Sequence, residues 1–133
     1  MEELVRLPAG GGVIEGELSL PAKASGVVLF AHGSGSSRHS PRNRAVAAAL
    51  RRAGLGTLLI DLLTLPEERA DAVGGHLRFD IPFLGERLLG ALEWLGRSPA
   101  TRTLRLGLFG ASTGAAAALV AAAEWPERVA AVV

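Results

Sequence analysis

The sequence predicts a single α/β domain: a mostly parallel sheet that opens with an N-terminal antiparallel hairpin and carries helices on both faces. Three observations predict it. Residues 3–7 and 13–20 alternate apolar and polar on either side of Gly10-Gly11-Gly12, the pattern of two strands joined by a tight turn. Later runs at 27–31, 56–60 and 129–133 are nearly continuously apolar, as strands covered on both faces are. Helix-length segments separate these runs, and strands alternating with helices build a parallel sheet.

Taken in order, the hairpin strands are followed by a turn at 21–26 and the strand at 27–31. A polar loop, 32–39, leads to Ser40-Pro41, an N-cap followed by proline at the first helical position. Val46, Ala49, Leu50 and Ala53 fall on one face of that helix, and Gly54 ends it. The strand at 56–60 ends at Asp61. Residues 62–79 show no regular period. Asp80-Ile81-Pro82 starts a long helix with Leu84, Leu88, Leu92 and Leu95 at helical spacing and Gly96 as its stop. A strand at 104–109, a small-residue helix to Glu124, the turn Trp125-Pro126-Glu127-Arg128 and the strand at 129–133 complete the chain.

Length and composition bound the function. At 133 residues and 49% hydrophobic, the chain suffices for one core. A net charge of +1 gives no field to draw nucleic acid or an anionic membrane, so neither is expected as a partner. Arg6, Arg51, Arg52, Arg87, Arg105 and Arg128 are scattered, as residues of solvated faces are. The absence of cysteine excludes disulfides, thiolate zinc sites and a cysteine nucleophile, and nothing calls for a metal or cofactor. The first residues contain no signal-peptide core, and the apolar run at 115–123 is too short and alanine-rich to span a bilayer. A soluble cytoplasmic protein is expected.

The strongest chemical signal is Leu108-Phe109-Gly110-Ala111-Ser112-Thr113-Gly114-Ala115. It reads as a buried strand that breaks at a glycine, exposes a serine and enters a helix through another glycine. So sharp a turn holds the serine in a strained conformation and tolerates only small residues two positions to either side, here Gly110 and Gly114. The pattern predicts Ser112 as a nucleophile; the alternative is a serine that merely caps the helix. A serine nucleophile also needs oxyanion donors. The glycine-rich loop Phe30-Ala31-His32-Gly33-Ser34-Gly35-Ser36-Ser37 follows the strand expected beside the elbow. There the backbone N–H of Ser34 would pair with that of Thr113. Arg38, Arg42 and Arg44 cluster next to this loop, and Arg38 and His39 are candidates for substrate contact.

His32-Gly33-Ser34-Gly35 after a strand, Gly110-Ala111-Ser112-Thr113-Gly114 at the elbow, and the order of elements between them resemble the α/β-hydrolases, in particular the dienelactone-hydrolase-like branch. The resemblance covers nearly the whole chain. It implies Ser112 as nucleophile, with the N–H groups of Ser34 and Thr113 as the oxyanion hole. Ser112 stands where dienelactone hydrolases carry cysteine, which favours a small-molecule substrate with a general ester-type bond. It also implies that the acid and histidine of a triad follow the nucleophile. The residues after Ser112 contain neither aspartate nor histidine, so the chain is expected to be a C-terminally incomplete, truncated α/β-hydrolase fold with little turnover alone.

Within the chain, His32 is expected to pack or bond the loop, His39 and His76 to lie on surface loops, and Asp61 to bond a neighbouring loop. Two other functions stay open. Gly33-Ser34-Gly35 lies between a strand and a helix as phosphate-binding loops do, although no G-x-x-x-x-G-K-[ST] occurs. A non-catalytic fragment or interaction subunit is the other. In that case the apolar edge at 129–133 would pair with a complementing segment or a second copy.

Overall fold

A computed structural model describes residues 1–133. Gly10 and Gly11 take φ of +51° and +79°, which glycine adopts without steric cost, and fold β1 (Glu2–Ala9) back onto β2 (Gly12–Ser19). Alternation then sorts the side chains: Val5, Leu7, Ile14 and Leu18 point into the core while Leu4 and Arg6 face outward.

The sheet continues with β3 (Gly26–Ala31), β4 (Gly56–Ile60), β5 (Arg105–Gly110) and β6 (Val129–Val132), in the spatial order β1-β2-β4-β3-β5-β6. β2 runs antiparallel to both β1 and β4, and the remaining pairs are parallel. The predicted mixed sheet is therefore the observed one. Its register sets Phe30 beside Phe109 and Ala31 beside Gly110, so the loops leaving β3 and β5 emerge side by side at the carboxyl edge. In sheets of this kind, sites form along that edge.

Helices cover both faces. α1 (Pro41–Arg52) lies on one, where Ala47 packs with Phe30 and Leu59. α3 (Ile81–Arg97) and α4 (Thr113–Glu124) lie on the other, where Leu84, Leu88, Leu92 and Leu95 join Leu29, Leu58 and Leu108 in the main core. No helix is long and apolar enough to cross a membrane.

Three expectations need correction. The inward face of α1 is carried by Asn43 and Ala47, with Ala49 and Ala53 exposed, because the helix is rotated to set Val46 and Leu50 beside the smaller apolar cluster. Residues 62–79 are ordered as α2 (Leu65–Gly74) and a 3-10 turn at Leu77–Phe79. α2 begins with a capping box: the Thr64 hydroxyl accepts from the Glu67 amide, and the Glu67 carboxylate accepts from the Thr64 amide.

The third concerns Arg87, which is 1% exposed instead of solvated. Its guanidinium grips Glu67 through two hydrogen bonds of 2.9 and 2.6 Å, donates to the Leu62 carbonyl at 3.3 Å and lies over the Phe83 ring. A guanidinium survives burial only when paired in this way. Burial pushes the Glu67 carboxyl up, but hydrogen bonds from Arg87 and Thr64 outweigh it and hold the group below its ordinary 4.5.

Candidate active site

Ser112 stands between β5 and α4 with φ +56° and ψ −123°. A non-glycine residue in such a conformation costs about 1–3 kcal/mol and persists only where its surroundings enforce it. Here they do. A Cβ on Gly110 would lie 2.5 Å from the Ala115 Cα, and one on Gly114 would overlap the carbonyl oxygens of Ala31 and His32. The two glycines thus let the first turn of α4 close onto the end of β3.

The helix-capping alternative can be tested directly. Ser40, Thr64 and Asp80 each use the side chain to accept the N–H three residues on, at the starts of α1, α2 and α3. Ser112 occupies the same position in α4, yet its side chain caps nothing and remains exposed. Its hydroxyl is free.

Across from it, the Ala111 amide bonds the Ala31 carbonyl at 3.1 Å and brings the β3 loop against the elbow. A Cβ on Gly33 would lie 3.3 Å from the Ser112 Cβ. The amides of Ser34 and Thr113 donate to no backbone group, leaving both available to an incoming oxyanion. Their side chains meet as well, with the hydroxyl oxygens 2.8 Å apart. Ser34 also reaches the Arg78 carbonyl at 3.1 Å. That carbonyl can only accept, so the Ser34 hydroxyl donates to it and the Thr113 hydroxyl donates to Ser34. A cavity of about 240 Å³ opens beside this pair, lined by Leu62, Leu63 and Leu84 among apolar residues and by His32, Glu68, Asp71 and Arg78 among titratable ones; Ser112 is not among its lining residues.

Of the remaining candidates only His32 lines this cavity. His32 is buried, its Nδ1 2.8 Å from the Gly33 carbonyl and its Nε2 3.0 Å from the Leu62 amide. The amide must donate and the carbonyl must accept, which fixes the neutral tautomer with the proton on Nδ1. Burial pushes the imidazole below its ordinary 6.5, against the opposing Gly33 hydrogen bond and the charges of Asp61 and Glu68. Arg38 donates its backbone N–H and its guanidinium to Asp61, with Glu15 at 3.7 Å on the other side. The exposed His39 accepts from Arg44, which in turn pairs with Glu17 at 2.6 Å. Neither Arg38 nor His39 lines the cavity. His76 is exposed beside Gly74, and no group of three metal-ligating side chains forms.

Two participants were invisible in the sequence. The Arg78 carbonyl is backbone, without any side-chain signal. Asp71 sits buried behind it, accepting the amides of Leu77 and Arg78 at 2.6 and 3.2 Å.

No family model matches the chain. It is 53% identical over 132 residues to a protein of Mycobacterium tuberculosis, strains H37Rv and CDC 1551, named "Putative phosphoribosyl transferase". That match covers 99% of this chain and 29% of the relative. The crystal structure of a dienelactone hydrolase from Anabaena variabilis is 58% identical with a TM-score of 0.96, covering 99% of this chain and 61% of that one. Est1E from Butyrivibrio proteoclasticus has a TM-score of 0.78 at 17% identity, over 97% of this chain and 48% of its own, a likeness of fold alone. The chain thus spans less than a third of the curated relatives and about three-fifths of the dienelactone hydrolase.

Proposed function

We propose that this chain, whose fold is that of the α/β-hydrolases, supplies the nucleophile and oxyanion hole of a serine hydrolase acting on ester-type bonds. The observation that carries the reading is Ser112, held at φ +56° with an exposed hydroxyl that caps nothing, opposite the unpaired amides of Ser34 and Thr113.

In this reading the Ser112 Oγ attacks the acyl carbonyl, and the carbonyl oxygen, becoming negative, takes the two N–H groups. The tetrahedral intermediate collapses to an acyl-serine as the alcohol leaves with a proton. Water then attacks, and the acid departs with Ser112 restored. Arg38 and His39 have no part in these steps. The proton needs a base, and none of the three histidines serves: His32 has both nitrogens occupied, and His39 and His76 are directed elsewhere. The reading assigns the base to a segment or partner that completes the sheet along β6, whose outer edge is open and whose Ala130 and Ala131 are exposed. A second copy of the chain is the other occupant this edge would suit.

The transferase in the name of the mycobacterial relatives is said of proteins of which this chain matches 29%. A phosphate-binding role for Gly33-Ser34-Gly35 would leave the strained Ser112 without a purpose.

The test is hydrolysis of p-nitrophenyl acetate by the full-length gene product. The reading expects turnover that Ser112→Ala reduces to background, and a rate roughly 10²–10⁴-fold lower for the 133-residue chain alone, the share general-base catalysis contributes. Turnover that survives Ser112→Ala would overturn it. An intact product with no turnover on any ester would favour the non-catalytic interaction subunit.

A further inference from the structure

We infer that Asp71 is a positioning residue for the oxyanion hole, acting through a relay of four hydrogen-bonded groups; the inference rests on the function proposed above. The relay begins with the Asp71 carboxylate, whose side chain is 4% exposed. One oxygen accepts the Leu77 amide at 2.6 Å and the other the Arg78 amide at 3.2 Å. Clamping both amides fixes the 3-10 turn at Leu77–Phe79 and hence the direction of the Arg78 carbonyl. That carbonyl takes the Ser34 hydroxyl at 3.1 Å, and Ser34 takes the Thr113 hydroxyl at 2.8 Å.

The two residues at the end of the relay are the ones whose amides face the oxyanion. Their N–H groups come from separate loops, and nothing in the backbone bonds one loop's donor to the other's. Besides the Ala111–Ala31 bond at the base of the two loops, what joins the two donor residues themselves is the hydroxyl pair. It has a single polarity, because the Arg78 carbonyl has no proton to give, so the relay is set from the Asp71 end. α2 buries Asp71 alone among its residues, while Leu65 and Val73 are exposed and Glu67 reaches across to the buried Arg87. The excursion between β4 and α3 thus sets one buried carboxylate, Asp71, against the turn that carries the Arg78 carbonyl.

The inference predicts that Asp71→Asn, which offers one acceptor oxygen in place of two, lowers kcat for p-nitrophenyl acetate about tenfold in the full-length product and leaves KM unchanged, since a displaced donor weakens transition-state contacts alone. Because the groups act in series, Asp71→Asn combined with Ser34→Ala should be no worse than Ser34→Ala alone. The backbone amide resonances of Ser34 and Thr113 should shift in Asp71→Asn, a readout that needs no catalysis and no unfolding-prone variant. Unmoved resonances, or losses that multiply in the double variant, overturn the relay while leaving Ser112-dependent hydrolysis intact. Hydrolysis that does not depend on Ser112 overturns the proposed function and the relay's catalytic role together, whatever the resonances do.

Discussion

Gly114 and Ala31 meet where no side chain fits: a Cβ on Gly114 would overlap the Ala31 carbonyl oxygen and come within 2.7 Å of its carbon. This contact docks the start of α4 on the end of β3 and so sets the elbow against the glycine-rich loop. The obstacle is backbone, which cannot swing aside as a flexible side chain would. Gly114→Ala should therefore destabilise the fold by about 1–3 kcal/mol, the usual cost of overpacking. Urea unfolding would measure it, and a change within the ±0.5 kcal/mol or so of ordinary surface substitutions would contradict the packing described.

The pair Arg87–Glu67 makes a second prediction. Removing Glu67 leaves a guanidinium that is 1% exposed without its partner, and such orphaned charges cost about 3 kcal/mol or more. Glu67 is itself partly solvated, so the lower end of that range applies. Glu67→Ala should lose this stability, and Arg87→Met added to it should restore much of the loss by removing the charge. A double variant no more stable than Glu67→Ala would show that the arginine contributes by packing alone.

His32 gives the fold a pH dependence. Burial lowers its pKa in the folded protein, so below its ordinary 6.5 the unfolded chain binds the proton that the native state refuses. Stability then rises with pH through this window. The contribution of a neutral His32 is present in full above 6.5 and declines as pH falls beneath it. Glu67, whose pKa is also lowered, loses its contribution only below 4.5, which separates the two. Urea midpoints at about pH 7.5 and about pH 5.5 should differ in the wild type and converge in His32→Gln, which keeps a donor and an acceptor but does not titrate. An unchanged midpoint in the wild type would contradict a His32 held neutral by burial.

Ser34 shows where reading the sequence falls short. From the motif, Ser34 lends only its N–H, and Ser34→Ala would be nearly silent. The structure gives the hydroxyl two partners, Thr113 and Arg78, from segments 79 and 44 positions away. The substitution is now expected to lower kcat about tenfold, as a small misplacement of a donor does; a silent variant would return Ser34 to its amide-only role.

The elbow, the loop, the hairpin and the buried strands were legible because each rests on a local rule: a glycine where a Cβ cannot go, or apolar residues in a run. The long helix α3 was legible because its leucines share a buried face. α2 was not, because its apolar residues Leu65 and Val73 are exposed and it buries only Asp71, so no period marks it. Its local signs are confined to its ends: the capping box of Thr64 with Glu67, Pro66 in the first turn and the left-handed Gly75 at the C-cap. Arg87 was misplaced for a related reason. Composition marks arginine as a surface residue, and only the fold brings Glu67 and the Leu62 carbonyl to receive it.

The central claim is that Ser112 is a nucleophile, and its most direct test is to trap the acyl group. The full-length gene product would be mixed with p-nitrophenyl acetate, quenched in acid within the first turnovers and mapped by mass spectrometry. The account predicts one acetyl group on the peptide that contains Ser112, absent from Ser112→Ala. Acetylation at Ser34 or Ser36 instead, or hydrolysis that proceeds with Ser112 unmodified and dispensable, would contradict it.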